Sequence, residues 1–347
     1  LFESQNITIH NIGVHYMHGL GIVSQYCRNV TMHQVQCAPR EGSTRLLASS
    51  ADFMHFSGCS GKISIDSCRF VGAQDDPINV HGTNLRAVER VDDYTLRLRF
   101  MHPQSYGFQA FFAGDTVAFV RPSTMLRYAE NVVKTARLLS PRIMEVTFLR
   151  PIPKTLQLQS DCVENLTCTP EVEISHCYFS RTSTRGTLVT TPRRVIIRNN
   201  TYYYTGMSAI LIEGDASGWY ESGPVKDVLI EGNRFVGCAY NGHPSHAVIA
   251  LNPSNTVVDA RHPVHQNVRI INNHFVTFGN PVLYAKSTSD LVFKGNALEE
   301  SSSVSEKTSK WFIFDGCNRV LIQRNRFPIP FTSRAVQFAN MKPPFTK

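Results

Sequence analysis

Long apolar runs are absent from this chain: no segment approaches the roughly 20 residues that a membrane helix requires, so no membrane span is expected. Blocks of one charge are absent as well. Lys and Arg total 35 against 27 Asp and Glu, a net charge of +8, but the basic residues are scattered and no run of five occurs. Pairs such as Arg193-Arg194 stand without any nucleic-acid-binding motif, so a solvated basic surface is the simpler reading and no nucleic-acid partner is expected. The nine cysteines contain no C-x-x-C and no Cys/His cluster of zinc type. Their odd number argues against a complete disulfide framework.

What is present is a recurring phrase, apolar-x-apolar-x-x-(Asn/Cys)-x-(aromatic/apolar). It reads Ile63, Ile65, Cys68, Phe70, then Val172, Ile174, Cys177, Phe179, then Val195, Ile197, Asn200, Tyr202. It continues through Val228, Ile230, Asn233, Phe235; Val268, Ile270, Asn273, Phe275; Leu291, Phe293, Asn296, Leu298; and Val320, Ile322, Asn325, Phe327. Degenerate copies begin at Ile7-x-Ile9 and Val30-x-Met32. Ile7 to Val30, Val172 to Val195 and Val268 to Leu291 are each 23 residues apart, and other copies are spaced by 29, 33 or 40. A fixed minimum with variable excess is the signature of a solenoid rung carrying loops of different length. The phrase has period 2 on both sides of a two-residue corner, which puts its apolar residues inward on two short strands with Asn or Cys in the turn. The fold class expected is all-β, a right-handed parallel β-helix with a stacked asparagine ladder. Cys68, Cys177 and, less regularly, Cys37 fall at an inward position of the repeat and act as small buried hydrophobes. A leucine-rich solenoid is excluded by the missing L-x-x-L-x-L consensus and helical half.

One interval breaks the pattern. Ile63 and Val172 are 109 residues apart, and the stretch from about Arg86 to Asn165 lacks the phrase. Alternating segments such as Tyr94–Phe100, Thr116–Phe119 and Met144–Phe148 indicate a small antiparallel β-barrel inserted into a loop. The expected division is therefore β-helix over 1–85, barrel over 86–165 and β-helix again over 166–347. Phe108, Phe111 and Phe112 are barrel aromatics that could flank a ligand, although core packing is the simpler role. Leu1-Phe2-Glu3 leads straight into a repeat, with no initiator Met and no cap, so a preceding N-terminal part with any targeting sequence is expected.

Acids are scarce inside rungs, so grouped ones stand out. Asp52 and Asp75 are 23 residues apart, one minimal rung, and Asp76 follows directly. Equivalent positions on adjacent rungs stack about 4.8 Å apart, which predicts three carboxylates close together on one face. Like charges at that distance resist simultaneous ionisation, and a protonated acid beside ionised ones is the pair that glycosidic hydrolysis needs. The alternatives are an Asp-Asp-Pro turn or an outer calcium site. His55, Asn79 and His81 add the polar groups that suit a sugar. Further on, Glu213, Asp215, Trp219 and Glu221 follow an Ile-Leu-Ile strand, and a Trp with carboxylates suits a sugar's C–H face and hydroxyls. There the alternative is a loop Trp covering core. His243 and His246 lie only three residues apart on a Pro-containing loop without a third ligand, so no metal site is assigned to them.

The segment A-D-F-M-H-F-S-G-C-S-G-K-I-S-I-D-S-C-R-F-V-G-A-Q-D-D-P-I-N-V-H-G-T from Ala51 to Thr83 resembles glycoside hydrolase family 110, inverting exo-acting α-1,3-galactosidases that remove blood-group B galactose. R-G-T-L-V-T-T-P-R-R from Arg185 and I-L-I-E-G-D-A-S-G-W-Y-E-S-G-P-V from Ile210 also resemble that family, as does a barrel insertion after His-Gly-Thr. The resemblance covers nearly the whole chain but lacks the N-terminal part of the family's usual length. It implies catalytic roles for Asp52, Asp75 and Asp76. One Asp followed a rung later by Asp-Asp is similar to the polygalacturonases, and by that analogy Asp75 is the general acid while Asp52 and Asp76 share the water. Hydrolysis without metal or cofactor, on an oligosaccharide or glycoconjugate, is implied. So is a secreted or periplasmic location.

Two other classes stay open on the sequence. A β-helix enzyme degrading another polysaccharide is one. An endo-acting galacturonidase would want a row of cations in the cleft, for which Arg69 and Arg86 are the candidates, and a lyase would need calcium with a Lys/Arg base or a Tyr/His pair. A non-catalytic carbohydrate-binding solenoid would not require clustered acids. Exposed rungs and aromatic side chains are also what a homodimer would use.

Overall fold

The structure, a computed structural model, describes residues 1–241, 247–301, 310–343 and 345–346. His243 and His246 fall outside them. The chain is a parallel β-helix whose rungs each contribute to three sheets, of ten, eight and nine strands. The ten-stranded sheet takes the Val-x-Ile half of the repeated phrase, and the eight-stranded sheet takes the aromatic half. The nine-stranded sheet, from Ile22–Gln25 through Met54–Ser57, Ile78–His81 and Thr187–Val189, has no phrase of its own in the sequence.

The corner between the first two sheets explains the phrase. Ser67, His176, Asn199, Asn272 and Arg324 adopt positive φ of 53–56° immediately before the Cys or Asn, and Gly232 and Gly295 do the same at 64° and 67°. The left-handed residue turns the chain and aims the next side chain along the helix axis. That side chain then accepts from the backbone N–H one rung earlier. Cys177 N–H donates to Asn200 Oδ1 (2.8 Å), Asn200 to Asn233 (3.0 Å), Asn233 to Asn273 (2.9 Å), Asn273 to Asn296 (2.8 Å) and Asn296 to Asn325 (2.8 Å). The ladder begins with sulfur, because Val35 N–H and Cys68 N–H donate to the Sγ atoms of Cys68 and Cys177, each at 3.4 Å. Cys37 is the exception to the expected cysteine position. It pairs in register with Phe70, so it sits in the aromatic row while Val35 holds the corner.

Inside, Phe70, Phe179, Tyr202, Phe235 and Phe275 form a stack with successive ring centroids 4.4–5.2 Å apart. Each buried ring removes enough apolar surface to contribute about 2–3 kcal/mol, and offset stacking adds to it. No helix among the described residues is long and apolar enough to cross a membrane.

Between strands Ile78–His81 and Glu171–Ser175 the chain leaves the solenoid and forms a closed antiparallel barrel of six strands. In barrel order these are Asn84–Arg90, Thr95–Arg99, Ile143–Phe148, Leu126–Ser140, Thr116–Arg121 and Cys162–Asn165. The chain then rejoins in register, with Ile63 opposite Val172. Closure removes the free edges that an inserted sheet would expose. Phe111 is wholly buried in the barrel core. Phe108 and Phe112 pack on Tyr26 of the solenoid, with centroids 5.9 and 5.6 Å away. All three pack within the barrel or join it to the helix.

Candidate active site

The three aspartates sit where the chain enters the nine-stranded sheet. Met54 pairs with Ile78 and Ile78 with Thr187, so Asp52, Asp76 and Arg185, each two residues before those positions, occupy one place on three successive rungs. The sequence spacing of 23 aligned Asp52 with Asp75 instead. The rung from Met54 to Ile78 is one residue longer, and Asp76 takes the stacked place while Asp75 is displaced toward solvent.

The carboxylates are close, with an oxygen of each lying within 4.8 Å of the others. Their surroundings differ. Asp52 is buried, with Oδ2 2.8 Å from His55 Nδ1 and Oδ1 accepting from Asp76 N–H at 3.2 Å. Asp76 is buried and gripped by Arg185, whose Nε reaches both its oxygens at 2.8 and 3.1 Å and whose Nη2 reaches Oδ2 at 2.7 Å. Thr184 Oγ1 donates to the same carboxylate at 3.3 Å. Asp75 has a side chain 46% exposed and meets Arg185 Nη2 at 3.5 Å.

Burial and then the Asp52 charge push the Asp75 carboxyl above the usual range, against Arg185. Burial pushes Asp76 up as well, again opposed by Arg185. His55 is raised: burial works against its charge, but the hydrogen bond and charge of Asp52 prevail. Burial holds His81 below its ordinary value. A cation could be coordinated by three carboxylates at this spacing. Here the oxygens of Asp52 and Asp76 are already engaged by His55, a backbone N–H and the guanidinium fork, so the set fits a proton-handling cluster better than a calcium cage.

The other expected residues converge on this place to different degrees. Glu221 Oε1 lies 3.6 Å from His81 Nε2, and burial raises its carboxyl. Glu213 faces Arg185, Asp215, Asp76 and Lys286, and burial pushes it to about 7. Asn79 is buried beside His55 in register, and its Oδ1 has no hydrogen-bond partner among the described residues. Asp215 is turned into its own loop, accepting from the N–H groups of Ser217, Gly218, Trp219 and Tyr220. That carboxylate shapes the loop that displays Trp219, which is 54% exposed.

Arg185 carries the main cationic contact of the cluster, and its role was missed from sequence although it heads one of the quoted motifs. Asp76 and Arg185 are 109 residues apart, the same interval as Ile63 and Val172, and it identifies them as neighbours once the pairing of those rungs across the barrel insertion is known. Arg69 and Arg86 do not line the aspartates. Arg69 lies over the Tyr178 ring on the eight-stranded sheet, and Arg86 bonds the Tyr220 hydroxyl at the barrel base. His102 was also missed. It comes from the barrel and stacks on Trp219 with centroids 3.9 Å apart, so the barrel supplies one wall of the cleft.

A family model described as GLAA-B beta-barrel domain II matches residues 95–163. A protein of Bacteroides fragilis named alpha-1,3-galactosidase A is 61% identical over 99% of this chain, which covers 57% of that relative. Proteins of Bacteroides thetaiotaomicron named alpha-1,3-galactosidase A and B are 41% and 35% identical over 93% and 99% of this chain, which covers 56% of each. The chain thus spans somewhat more than half the length of the curated relatives it matches.

Proposed function

We propose, from the premise that this chain belongs to glycoside hydrolase family 110, the family of those α-1,3-galactosidases, that it carries the hydrolytic site of an exo-acting α-galactosidase. The substrate is a terminal α-1,3-linked galactose on glycans such as the blood-group B or linear α-galactosyl epitopes. The observation that carries the reading is the cluster of three carboxylates within 4.8 Å, two of them buried and bonded by His55 and Arg185 and the third open to the cleft. Such an arrangement keeps one acid protonated beside ionised partners, which is what protonating a leaving oxygen while activating a water requires.

Asp75 acts as general acid, since it is the most exposed of the three and its carboxyl is raised by burial and by Asp52. Asp52 and Asp76, stacked and buried, share the attacking water and take its proton. The bond from the anomeric carbon to the leaving oxygen breaks as that oxygen receives the Asp75 proton, and the water oxygen bonds the opposite face of the same carbon. Inversion follows the family resemblance. The nearest oxygens here are closer than the about 6.5–9.5 Å between carboxyl groups common to inverting enzymes, and a water held by two of three carboxylates is the arrangement that accommodates this. Trp219 supplies an apolar face, and Glu213, Glu221 and Asn79 supply hydroxyl partners. His55 and His81 stand behind Asp52. A glycan substrate of this kind places the enzyme in the periplasm or outside the cell.

Proton NMR of the full chain acting on the blood-group B trisaccharide and on linear Gal-α-1,3-Gal tests this. β-Galactose as the first-formed anomer from either substrate is the expected result. α-Galactose first would overturn inversion, and no galactose from either would overturn the substrate assignment.

A further inference from the structure

The carboxylate cluster is anchored by a chain of contacts that runs along the nine-stranded sheet from Asp52 to His81. Asp52 Oδ2 lies 2.8 Å from His55 Nδ1, and His55 Nε2 lies 2.9 Å from His81 Nε2. His81 Nδ1 in turn lies 2.6 Å from the Gly82 carbonyl oxygen. The two rings meet edge to face, with centroids 4.9 Å apart. His55 and His81 project from neighbouring strands, Met54–Ser57 and Ile78–His81, so the β-helix register holds them together.

Each contact needs one donor and one acceptor, and this places the hydrogens by elimination. A carbonyl oxygen only accepts, so His81 carries a hydrogen on Nδ1. A second hydrogen on its Nε2 would put the charge on the more buried of the two rings, whose facing carboxylate, Glu221, stands at 3.6 Å, whereas Asp52 stands 2.8 Å from His55. In the neutral ring Nε2 is bare and must accept, which makes His55 Nε2 the donor. His55 Nδ1 faces a carboxylate that also accepts. His55 therefore holds hydrogens on both nitrogens.

We infer that His55 is an imidazolium clamped between Asp52 and a neutral His81, and that this pair is a positioning device which holds the Asp52 carboxylate in place beside Asp75 and Asp76. The groups that face His55 are Asp52, Asp76, His81 and Glu221, and those that face His81 are His55 and Glu221. Asp52, Asp76 and Glu221 all favour a charge on His55, whereas Glu221 is the carboxylate that favours one on His81. Without the charge on His55, Asp52 would lose the cationic partner that holds its Oδ2 beside Asp75 and Asp76, and its carboxylate would no longer be fixed for the water. The role in catalysis rests on the α-galactosidase reading, whereas the placement of hydrogens does not.

The test reads the two parts separately. Side-chain ¹⁵N spectra of the histidine-labelled full chain, assigned with His55→Gln and His81→Phe, report each nitrogen directly near neutral pH. Two protonated nitrogens on His55 and a single protonated Nδ1 on His81 are expected; a neutral His55, or a charged or Nε2-protonated His81, would overturn the inference whether or not the protein cleaves galactosides. The second readout is the pH profile of kcat. Loss of the His81 acceptor lets His55 discharge at lower pH, so His81→Phe moves the alkaline limb of kcat downward by on the order of one pH unit with KM nearly constant. His55→Gln, which can still donate a hydrogen bond but carries no charge, lowers kcat by roughly 10–100-fold. A uniform loss across pH in His81→Phe, or an unchanged kcat in His55→Gln, would reduce the pair to packing.

Discussion

Asp52, Asp76 and Arg185 share one position on successive rungs, yet each meets a different neighbour. The register brings them close, and the side chains then sort the charges. Glu213 shows the consequence most directly, because burial raises its carboxyl from the ordinary 4.5 to about 7. A carboxyl raised in the folded state contributes stability when protonated, fully present below the unfolded value and lost as pH rises through the folded one. The Glu213→Gln variant keeps the shape and removes the titration. Its stability should therefore match the parent near pH 4 and exceed it by on the order of 2 kcal/mol by pH 8, the partial exposure of the side chain discounted. Urea unfolding across that range checks this, and a constant difference would show that Glu213 does not titrate there. The aspartates were legible in the sequence as a group because acids are rare in rungs. Their individual environments were not, since Arg185 lies 109 residues from Asp76 and only the pairing of rungs makes them neighbours.

At the scale of the element, the corner is the unit that repeats. Asn233 shows why: its side-chain oxygen accepts from Asn200 N–H and from Asn200 Nδ2, both at 3.0 Å, while its own Nδ2 donates to the Ile197 carbonyl at 2.8 Å. Replacing it by Ala leaves several buried groups without partners, and Asn233→Ala should cost about 2–4 kcal/mol, measured as a shift in urea midpoint at constant m-value. Asn233→Asp, which keeps the acceptor but loses the donor and adds a buried charge, should cost at least as much. The phrase made two of the three sheets readable, because its inward residues alternate across a corner of fixed length. The nine-stranded sheet escaped it. Several of its strands, Thr187–Val189, Ile210–Ile212 and Ile249–Leu251, are three residues long and buried throughout, so they carry no alternation that would have marked them.

At the scale of the whole molecule, the barrel contributes to the cleft as well as packing on the solenoid. Asn84 N–H donates to the Tyr220 carbonyl at 2.8 Å and Asn84 Nδ2 to the Asp215 carbonyl at 3.0 Å, so the loop bearing Trp219 is tied to the barrel base. His102 then stacks on Trp219 from the barrel side. On the proposed reading both residues act on binding, since they meet each other at the cleft wall and not the carboxylates of Asp52, Asp75 and Asp76. His102→Ala should raise KM for an α-1,3-galactoside by roughly 5–10-fold with kcat nearly unchanged, since an exposed aromatic contact contributes about 1 kcal/mol. Steady-state kinetics decide it, and a fall in kcat at constant KM would place His102 in the chemistry instead.

By itself the sequence determined the solenoid, the ladder and the interrupted stretch that becomes the barrel, because these rest on local periodicity and on turn residues that carry their own conformational preferences. It also marked the acids and, through whole motifs, the resemblance to α-1,3-galactosidases. Tertiary structure alone decided which carboxylate is buried and which is open, that Arg185 and His55 are their partners, and that Asp215 serves its loop while His102 joins the cleft. Those outcomes depend on a one-residue difference in rung length and on contacts between segments more than 100 residues apart. Such contacts follow from the strand register, which no periodicity within a single rung encodes.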